Sequence, residues 1–332
     1  MITVGVIGSG YWGPNLIRNI NELGTVNLKY ICDKDNEVLR EIKERYLNIS
    51  LVNDYNIILN DNEVDAIIIA TPAITHYRIV KDSLLKNKHV FVEKPITNNV
   101  KDGYELASLA KEKSLKLMVG HVFVHSGPVK KVKELITSGA IGEIKKINSQ
   151  RFNFGKLRWD VNVLWDLAPH DISIIQYWLG TGISSVLAYG SSSIKQDLED
   201  DALLVLESEN SIKSYIHCSL NSPEKVRRME VVGSDGMIVF DDTLNENKVK
   251  LFLKSIKINN GSKTFTYEDK GVKIIDHDST EPIKLELINF INSILGEEEI
   301  LTDAYNGIEV LKVLEASNKS ILLNGSKVNV LN

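Results

Sequence analysis

The sequence predicts an α/β protein of two domains, a doubly wound parallel-sheet domain followed by an α+β domain with an antiparallel sheet. Three observations carry this prediction. A glycine turn joins a buried strand pattern to an amphipathic helix pattern within the first 23 residues. Strand and helix patterns then alternate up to about residue 120. Beyond that point, long alternating strands follow one another with few helices between them.

The first 33 residues form the most informative unit. Thr3–Ile7 has a buried strand pattern and runs into the turn Gly8-Ser9-Gly10-Tyr11-Trp12-Gly13. A helix pattern and a second strand, Val26–Ile31, follow, and Asp33 stands twenty residues after the last glycine. This combination is typical of the phosphate-binding unit of a Rossmann fold. It therefore predicts a bound dinucleotide in preference to a purely structural turn.

Each part of this unit has its own task. Gly8 permits the tight turn, Gly10 lets a pyrophosphate approach the backbone, and Gly13 lets the helix pack closely on the sheet. The helix N-terminus directs N–H groups and a partial positive charge at the phosphates. Asp33 suits the two ribose hydroxyls and would repel a 2′-phosphate, so NAD is the expected cofactor. Lys34 beside it leaves NADP disfavoured but open.

The remaining periodicity divides the chain into an NAD-binding domain, residues 1–120, and a second domain, residues 121–332. The first is predicted to contain further strands at 64–70, 89–92 and 115–119 and helices at about 75–86 and 100–113. The second is predicted to contain helices at about 128–138, 282–294 and 303–322 and strands at 143–154, 183–191, 202–207, 211–220, 228–232, 237–240 and 248–256.

Composition narrows the class of protein. The chain has 332 residues, 43% of them hydrophobic and 25% charged, which is typical of a globular protein. A net charge of -5 argues against non-specific nucleic-acid binding. No apolar run is long enough for a membrane span, and a strand begins too early for a signal peptide. Cys32 and Cys218 lie in apolar strand patterns, so we expect free, buried thiols and a cytoplasmic location.

Two positions outside the glycine unit can carry acid–base chemistry. Lys94 follows a predicted parallel strand, at the edge where such sheets bind ligands, although a surface lysine in a turn explains it equally well. Asp166 and His170 are four residues apart near Pro169, which is best tolerated in a first helical turn, so a helix is expected to begin there. A carboxylate beside an imidazole makes a general base. An N-cap role for Asp166 and a core position for His170 are the alternatives.

A metal site is not expected. His121 and His125 flank Val122-Phe123-Val124, which has a strand pattern. A strand would hold the two imidazoles roughly 13 Å apart, too far to share one ion. Neither an HExxH pair nor a cysteine pair occurs in the sequence. No GxSxG turn indicates a serine nucleophile either.

These motifs together resemble the glucose-fructose oxidoreductase, inositol dehydrogenase and rhizopine catabolism (Gfo/Idh/MocA) family over nearly the whole chain. The resemblance is carried by the glycine unit, by Ala70-Thr71-Pro72 followed by His76, by the segment ending in Glu93-Lys94-Pro95, and by Asp166 with His170. It implies a Rossmann domain followed by a large, mostly antiparallel sheet that commonly forms the interface of homodimers or homotetramers.

The resemblance also implies roles for individual residues. His170 exchanges the hydroxyl proton, Asp166 supports it, and Lys94 hydrogen-bonds the reacting oxygen while hydride passes to or from the nicotinamide. The positions implied to line the cofactor are Thr71, Pro72, His76, Glu93 and Lys94. We also expect Tyr11 and Trp12 to shape the cleft beside the nicotinamide, and His76 alternatively to cap the helix it opens.

Three segments also resemble a narrower branch, the sugar-nucleotide 3-dehydrogenases that act on UDP-N-acetylglucosamine or its uronate. These segments are Gly10–Asn15, Gly120-His121 and Asp160–Asp171. Arg158 and Asn162 precede the catalytic turn and are expected to face the substrate. An arginine suits a diphosphate because its donors form a fixed fork, although a surface arginine is the alternative. The chain departs from the branch at His125 and Gly127, where tyrosine and proline are usual, and it lacks the glycine run common before the aspartate.

The expected function is therefore NAD-dependent oxidation of a ring hydroxyl, at C3, of a nucleotide sugar. Two alternatives stay open. One keeps the chemistry but uses a free sugar, an inositol or a keto-sugar reduced in the other direction. The other is a non-catalytic NAD-binding regulator, which the presence of Lys94, Asp166 and His170 disfavours.

Overall fold

The structure is a computed structural model that describes residues 1–155, 159, 161–259 and 261–330. Its helices are α1 (Gly13–Glu22), α2 (Asn36–Arg45), α3 (Tyr55–Leu59), α4 (His76–Leu85), α5 (Val100–Glu112), α6 (Gly127–Thr137), α7 (Val163–Leu179), α8 (Pro282–Leu295) and α9 (Ala304–Leu322). Short 3₁₀ turns occupy Ala73–Thr75 and Val122–His125.

The strands, in chain order, are β1 (Ile2–Ile7), β2 (Val26–Cys32), β3 (Ser50–Val52), β4 (Ala66–Ile69), β5 (His89–Glu93), β6 (Leu117–Gly120), β7 (Ile144–Phe154), β8 (Ile183–Ser191), β9 (Asp201–Ser208), β10 (Lys213–Ser219), β11 (Asn221–Gly233), β12 (Met237–Asp241), β13 (Val249–Asn259), β14 (Thr264–Ile275) and β15 (Val328–Asn329). Both closing helices and all the strands predicted in the second half are confirmed.

The chain forms two compact units. The first consists of residues 1–125 together with 280–311, and the second of 126–279 together with 312–332. The domain boundary near residue 120 stays a prediction. The return of residues 280–311 to the first unit is a feature that the sequence pattern did not indicate.

The sheet of the first unit has six parallel strands in the order β3-β2-β1-β4-β5-β6. All four residues of β4 are buried, as expected of a strand covered on both faces. Helix α8 adds Leu287, Phe290 and Ile291 to the same core, where Phe290 meets Phe91 edge-to-face at 5.9 Å between ring centroids. The strand order reverses between β1 and β4, and sheets of this kind bind ligands at that point.

The sheet of the second unit has nine strands in the order β14-β13-β12-β11-β7-β10-β9-β8-β15. Among the strand pairs that the structure describes in this sheet, β7 and β10 are parallel and the others are antiparallel, so the predicted mostly antiparallel sheet is confirmed. Trp178 of α7 is buried, donates its indole N–H to the Val129 carbonyl at 2.9 Å and packs edge-on against Phe240. These contacts fix α7 within the second unit.

Both cysteines of the chain lie in strand regions of the fold. Cys32 and Cys218 are free and buried, as predicted, and burial raises the pKa of the Cys32 thiol to about 12. Within the described ranges, no helix combines the length and apolar character needed to cross a membrane.

Candidate active site

Neighbouring backbone atoms pack closely against the glycine turn, and this close packing requires glycine at two of its three glycine positions. Gly8 has a φ of +96°, and a β-carbon there would lie 2.7 Å from the Ala70 carbonyl. A β-carbon on Gly13 would overlap the Gly8 carbonyl oxygen. Gly10 instead faces open space, with nothing within 4 Å of a β-carbon. The backbone of the turn is therefore accessible at Gly10, as the approach of a pyrophosphate requires.

Asp33 ties the turn to the end of β2. Its Oδ2 accepts hydrogen bonds from the Ser9 amide at 2.8 Å and the Ser9 hydroxyl at 2.9 Å, and its Oδ1 accepts from the Asp35 amide at 3.0 Å. Ser9 is a spacer in the glycine fingerprint, so its part in holding the carboxylate was not predicted. The carboxylate is thus oriented before any ribose reaches it.

We expect Asp33→Ala to narrow the preference for NAD over NADP. Alanine removes the acceptor proposed for the ribose hydroxyls and both bonds to Ser9, so NADH should bind about tenfold more weakly or worse. Binding of NADH and NADPH by fluorescence titration measures this without a substrate. Ser9→Ala is the control, since it removes only the hydroxyl bond and keeps the carboxylate. An unchanged NADH-to-NADPH ratio for Asp33→Ala would count against this role.

His76 joins two loops at the carboxyl edge of the sheet. Its buried ring places one nitrogen 2.8 Å from the Thr71 carbonyl and the other 2.7 Å from the Pro95 carbonyl. Burial lowers its pKa, against the raising effect of these two carbonyls. The ring therefore holds the loop after β4 against the cis Lys94–Pro95 peptide, and it does not cap α4. Direct cofactor contact by Thr71, Pro72 or His76 stays a prediction.

Lys94 follows β5 directly and borders an enclosed group of ionisable side chains. The Glu93 carboxylate packs over the backbone of Gly120 and accepts a hydrogen bond from the Lys94 amide at 3.3 Å. Burial raises the pKa of Glu93 to about 7, although the Lys94 charge and a hydrogen bond from Trp12 lower it. Trp12 of the glycine turn thus contacts Glu93, while Tyr11 beside it is 92% exposed.

The segment after β6 is a 3₁₀ turn, so the predicted strand between His121 and His125 is wrong. The apolar triplet packs as a turn because α8 covers it. His121 is 2% exposed, and burial with the nearby Lys94 charge lowers its pKa to about 3. His125 Nε2 lies 3.2 Å from the Thr302 hydroxyl, which donates to the Val119 carbonyl. Within the part of the chain that the structure describes, no group of three or more metal-binding side chains occurs.

In the second unit, helix α7 begins earlier than predicted. Asn162 is its N-cap and accepts from the Trp165 amide at 3.1 Å, so the helix starts at Val163 and Pro169 lies inside it. An N-cap role for Asp166 is therefore excluded. Asp166 and His170, both half-buried, stand four residues apart on one side of a continuous helix, where their β-carbons are roughly 5–6 Å apart. This is the spacing that the sequence indicated.

The two residues expected to face the substrate have different outcomes. The Asn162 amide is used twice within the fold, because its nitrogen also donates to Glu199 Oε2 at 2.8 Å. A substrate role for Asn162 stays a prediction. Arg158 lies outside the described residues.

A buried ion pair anchors α7 to the sheet of the second unit. Arg151 of β7 donates to the Asp171 carboxylate through Nε at 2.7 Å and a terminal nitrogen at 2.9 Å. The side chains are 6% and 1% exposed. Asp171 follows His170 directly, so the pair fixes the backbone that carries the imidazole. No local pattern in the sequence indicates this pair, since the two residues are twenty positions apart.

Comparison with known proteins places these two units in one family. Residues 2–121 match the model for the oxidoreductase family with an NAD-binding Rossmann fold, and residues 129–239 match the model for the GFO/IDH/MocA C-terminal domain. The chain belongs to the Gfo/Idh/MocA oxidoreductase family. It is an NAD(P)-dependent oxidoreductase whose first unit carries the NAD-binding Rossmann domain. The predicted family and cofactor are confirmed.

One curated protein and two solved structures are similar to this chain over most of its length. The myo-inositol 2-dehydrogenase of Thermotoga maritima is 28% identical over 262 residues, which are 75% of this chain and 77% of that protein. The structure of UDP-N-acetylglucosamine 3-dehydrogenase from Acidithiobacillus ferrooxidans has a TM-score of 0.83 and 21% identity, covering 98% of this chain and 99% of that one. Scyllo-inositol dehydrogenase from Lactobacillus casei, solved with NAD(H) and scyllo-inositol, has a TM-score of 0.81 and 20% identity, covering 99% of each chain.

Proposed function

We propose that this oxidoreductase removes hydride from a ring hydroxyl, at C3, of a nucleotide sugar such as UDP-N-acetylglucosamine or its uronate, with NAD as acceptor. The observation that carries the proposal is the Asp166 and His170 pair on one side of α7, within the sequence motif Asp160–Asp171 that resembles the sugar-nucleotide branch. Similarity to the fold of UDP-N-acetylglucosamine 3-dehydrogenase supports it.

The chemistry divides among three side chains. Oxidising a secondary alcohol to a ketone releases one hydride and one proton. NAD, when bound, accepts the hydride at C4 of its nicotinamide. His170 takes the hydroxyl proton as general base, and Asp166 orients the imidazole and stabilises its charged form. Lys94 donates a hydrogen bond to the reacting oxygen and favours its negative charge as the proton leaves.

A second candidate substrate class has its own support. The myo-inositol 2-dehydrogenase of Thermotoga maritima has higher identity to this chain than the sugar-nucleotide enzyme does. The same three side chains would oxidise an inositol or a free sugar, or reduce a keto-sugar in the reverse direction. A non-catalytic NAD-binding regulator would not need a general base, and the retained Lys94, Asp166 and His170 argue against that role.

The substrate class is tested by NADH formation with a panel of UDP- and dTDP-sugars, free sugars and inositols. Each substrate is assayed with and without an α-keto acid, which recycles tightly held NADH. The proposal expects turnover with a UDP-sugar and a 3-keto product by mass spectrometry and NMR. Turnover confined to free polyols would overturn the nucleotide-sugar assignment and leave the acid–base assignment standing.

We further propose that the chain assembles as a homodimer or homotetramer through the sheet of the second unit. Directly opposed residues of β13 and β14 share one face, and several on this face are apolar and exposed. These residues are Ile256 (55% exposed), Ile258 (66%), Phe265 (61%), Tyr267 (75%), Val272 (48%) and Ile274 (60%). An apolar face of this kind marks an interaction surface.

We expect a charge on this face to weaken self-association. The double variant Ile258→Asp with Phe265→Asp places two charges at one directly opposed pair. Light scattering coupled to size exclusion should show a smaller assembly than wild type. Thr266→Asp is the matched control, because Thr266 follows Phe265 in β14 and points to the opposite face. A wild-type monomer, or equal masses for all three proteins, would contradict the proposed interface.

A further inference from the structure

An exposed aromatic ring stands just ahead of helix α7 in the chain. The Trp159 side chain is 82% exposed, although tryptophan is on average a well-buried residue type. The Lys195 ammonium lies over this ring, 4.5 Å from its centroid, and 3.5 Å from the Trp159 carbonyl oxygen. Trp159 and Lys195 thus form an aromatic–cation pair, which presents a flat apolar surface and a positive charge to solvent side by side.

A buried carboxylate holds the loop that carries Lys195. Asp200, which is 1% exposed, accepts hydrogen bonds from the Ser193 amide, the Ser193 hydroxyl and the Ile194 amide, each at 2.8 Å. The Leu198 amide donates to the Lys195 carbonyl at 3.2 Å and closes the turn between these anchors. Because Lys195 lies between bonded residues on both sides, its backbone is fixed before any ligand arrives.

The same loop is bonded to the first turn of α7. The Glu199 carbonyl accepts a hydrogen bond from the Val163 amide at 2.9 Å, and Glu199 Oε2 accepts one from the Asn162 side chain at 2.8 Å. Asp166 and His170 follow along the helix, about 4 and 10 Å from Val163 at 1.5 Å per residue. The aromatic–cation pair therefore belongs to the end of α7 that carries the proposed acid–base residues.

The two members of this pair match the two chemical parts of a nucleotide. A nucleobase is a flat π-system that stacks on an aromatic ring, and its phosphates are anions that an ammonium group attracts. An inositol or a free sugar has neither part. A cation–π contact that only holds the surface together gains little at an exposed position, so it does not account for a tryptophan kept open to solvent.

We propose that the aromatic–cation pair binds the nucleotide end of a nucleoside diphosphate sugar, with the base stacked on Trp159 and a phosphate paired with Lys195. The base lies on the face of the indole that Lys195 does not cover. This inference rests on the proposed function and deepens it, because it names side chains that favour a nucleotide sugar over an inositol. Both contacts are remote from the reacting hydroxyl, so they lower KM and leave kcat nearly unchanged.

Binding of UDP to the full chain with NADH tests this subsite without turnover. Isothermal titration calorimetry should show UDP binding to wild type, and Trp159→Ala should raise the Kd about tenfold or more. Trp159→Phe keeps a ring for stacking and should stay within a few-fold of wild type. Lys195→Ala should weaken UDP several-fold but leave uridine unchanged, because uridine has no phosphate.

Lys145→Ala is the matched control for loss of a positive charge. Lys145 lies near the start of β7, whereas Phe154 at the other end pairs with Asn221, whose side chain donates to the Ser193 hydroxyl of the loop. The strand between them separates Lys145 from the loop by roughly 30 Å. This variant should bind UDP as wild type does. Equal losses in Lys195→Ala and Lys145→Ala would overturn the role of Lys195.

Three results would overturn the stacking role of Trp159. They are absence of UDP binding by wild type, an unchanged Kd in Trp159→Ala, and competition against UDP by free N-acetylglucosamine but not by uridine. The last result would make the indole a platform for a sugar ring.

Kinetics separate the subsite from the proposed reaction. With a UDP-sugar that is turned over, Trp159→Ala should raise KM and leave kcat nearly unchanged. An unchanged KM would refute the subsite, while the proposed oxidation would stand. UDP binding that depends on Trp159, without turnover of any UDP-sugar, would support the subsite and overturn the proposed function.

Discussion

Replacing His170 by asparagine is expected to lower kcat by 10²–10⁴-fold while NADH binds with nearly unchanged affinity. Loss of a positioned general base has an effect of this size. Asparagine keeps a polar side chain of similar size on α7 but cannot accept the proton of the substrate hydroxyl. The measurement is kcat on the substrate found in the panel, together with NADH affinity by fluorescence titration.

The chain offers a matched control for this substitution. His217 lies in the same unit and also sits beside a carboxylate, with Nε2 3.1 Å from Asp201 Oδ1. His217→Asn should leave kcat within a few-fold of wild type. A double variant of Lys94→Ala with His170→Asn should lose less than the product of the two single losses, because both residues act on the same step. If His170→Asn kept the kcat of wild type, the general base would have to be a residue other than His170.

Replacing Arg151 by methionine is expected to destabilise the protein by about 3–5 kcal/mol. The substitution leaves the Asp171 carboxylate buried without its bidentate partner. Since Asp171 lies next to His170, kcat should fall as well. Chemical denaturation of the full chain, followed by circular dichroism, measures the change in free energy of unfolding.

Two controls separate the charge from the packing. Arg151→Met combined with Asp171→Leu removes both charges and should recover most of the stability. Arg228→Met breaks an exposed pair with Glu230, whose side chains are 45% and 37% exposed, and should cost less than about 1 kcal/mol. Equal losses for Arg151→Met and Arg228→Met would show that burial of the pair has no energetic weight.

Local patterns predicted those parts of the site that depend on local backbone. The glycine turn follows from positions 8, 10 and 13, because each glycine answers a steric demand within the same strand–turn–helix unit. The placement of Lys94 follows from the length of β5. The predicted family added the roles of Asp166 and His170, which spacing alone left open.

The errors arise where tertiary packing overrides local preference. Pro169 suggested a helix start, but α7 begins six residues earlier at Val163 and continues through the proline. Burial of Ile172, Ile175 and Trp178 holds the helix together despite the missing amide. The apolar triplet after His121 has high β-propensity, yet it forms a 3₁₀ turn, and helix α8 packs against that turn.

The periodicity of α8 contains a signal of the buried Glu286. In α8 the apolar positions Ile283, Leu287 and Phe290 define the buried face, and Glu286 falls on that same face. An ionisable residue within an apolar stripe is a reason to expect a pKa that burial shifts from its usual value.

The sequence pattern does not predict strand β14. Nearly all residues of this strand are exposed, so it lacks the alternation that marks a half-buried strand.

The return of residues 280–311 to the first unit sets an order of events during synthesis. The core around β1 to β6 includes Leu287, Phe290 and Ile291 of α8, and the Val119 amide of β6 donates a hydrogen bond to the Thr302 carbonyl. None of these partners exists when residue 125 leaves the ribosome. The core of the Rossmann sheet therefore stays incompletely covered until residues 126–279 have been translated and α8 has followed. The first 125 residues of the chain therefore complete their folding late, although they are synthesised first.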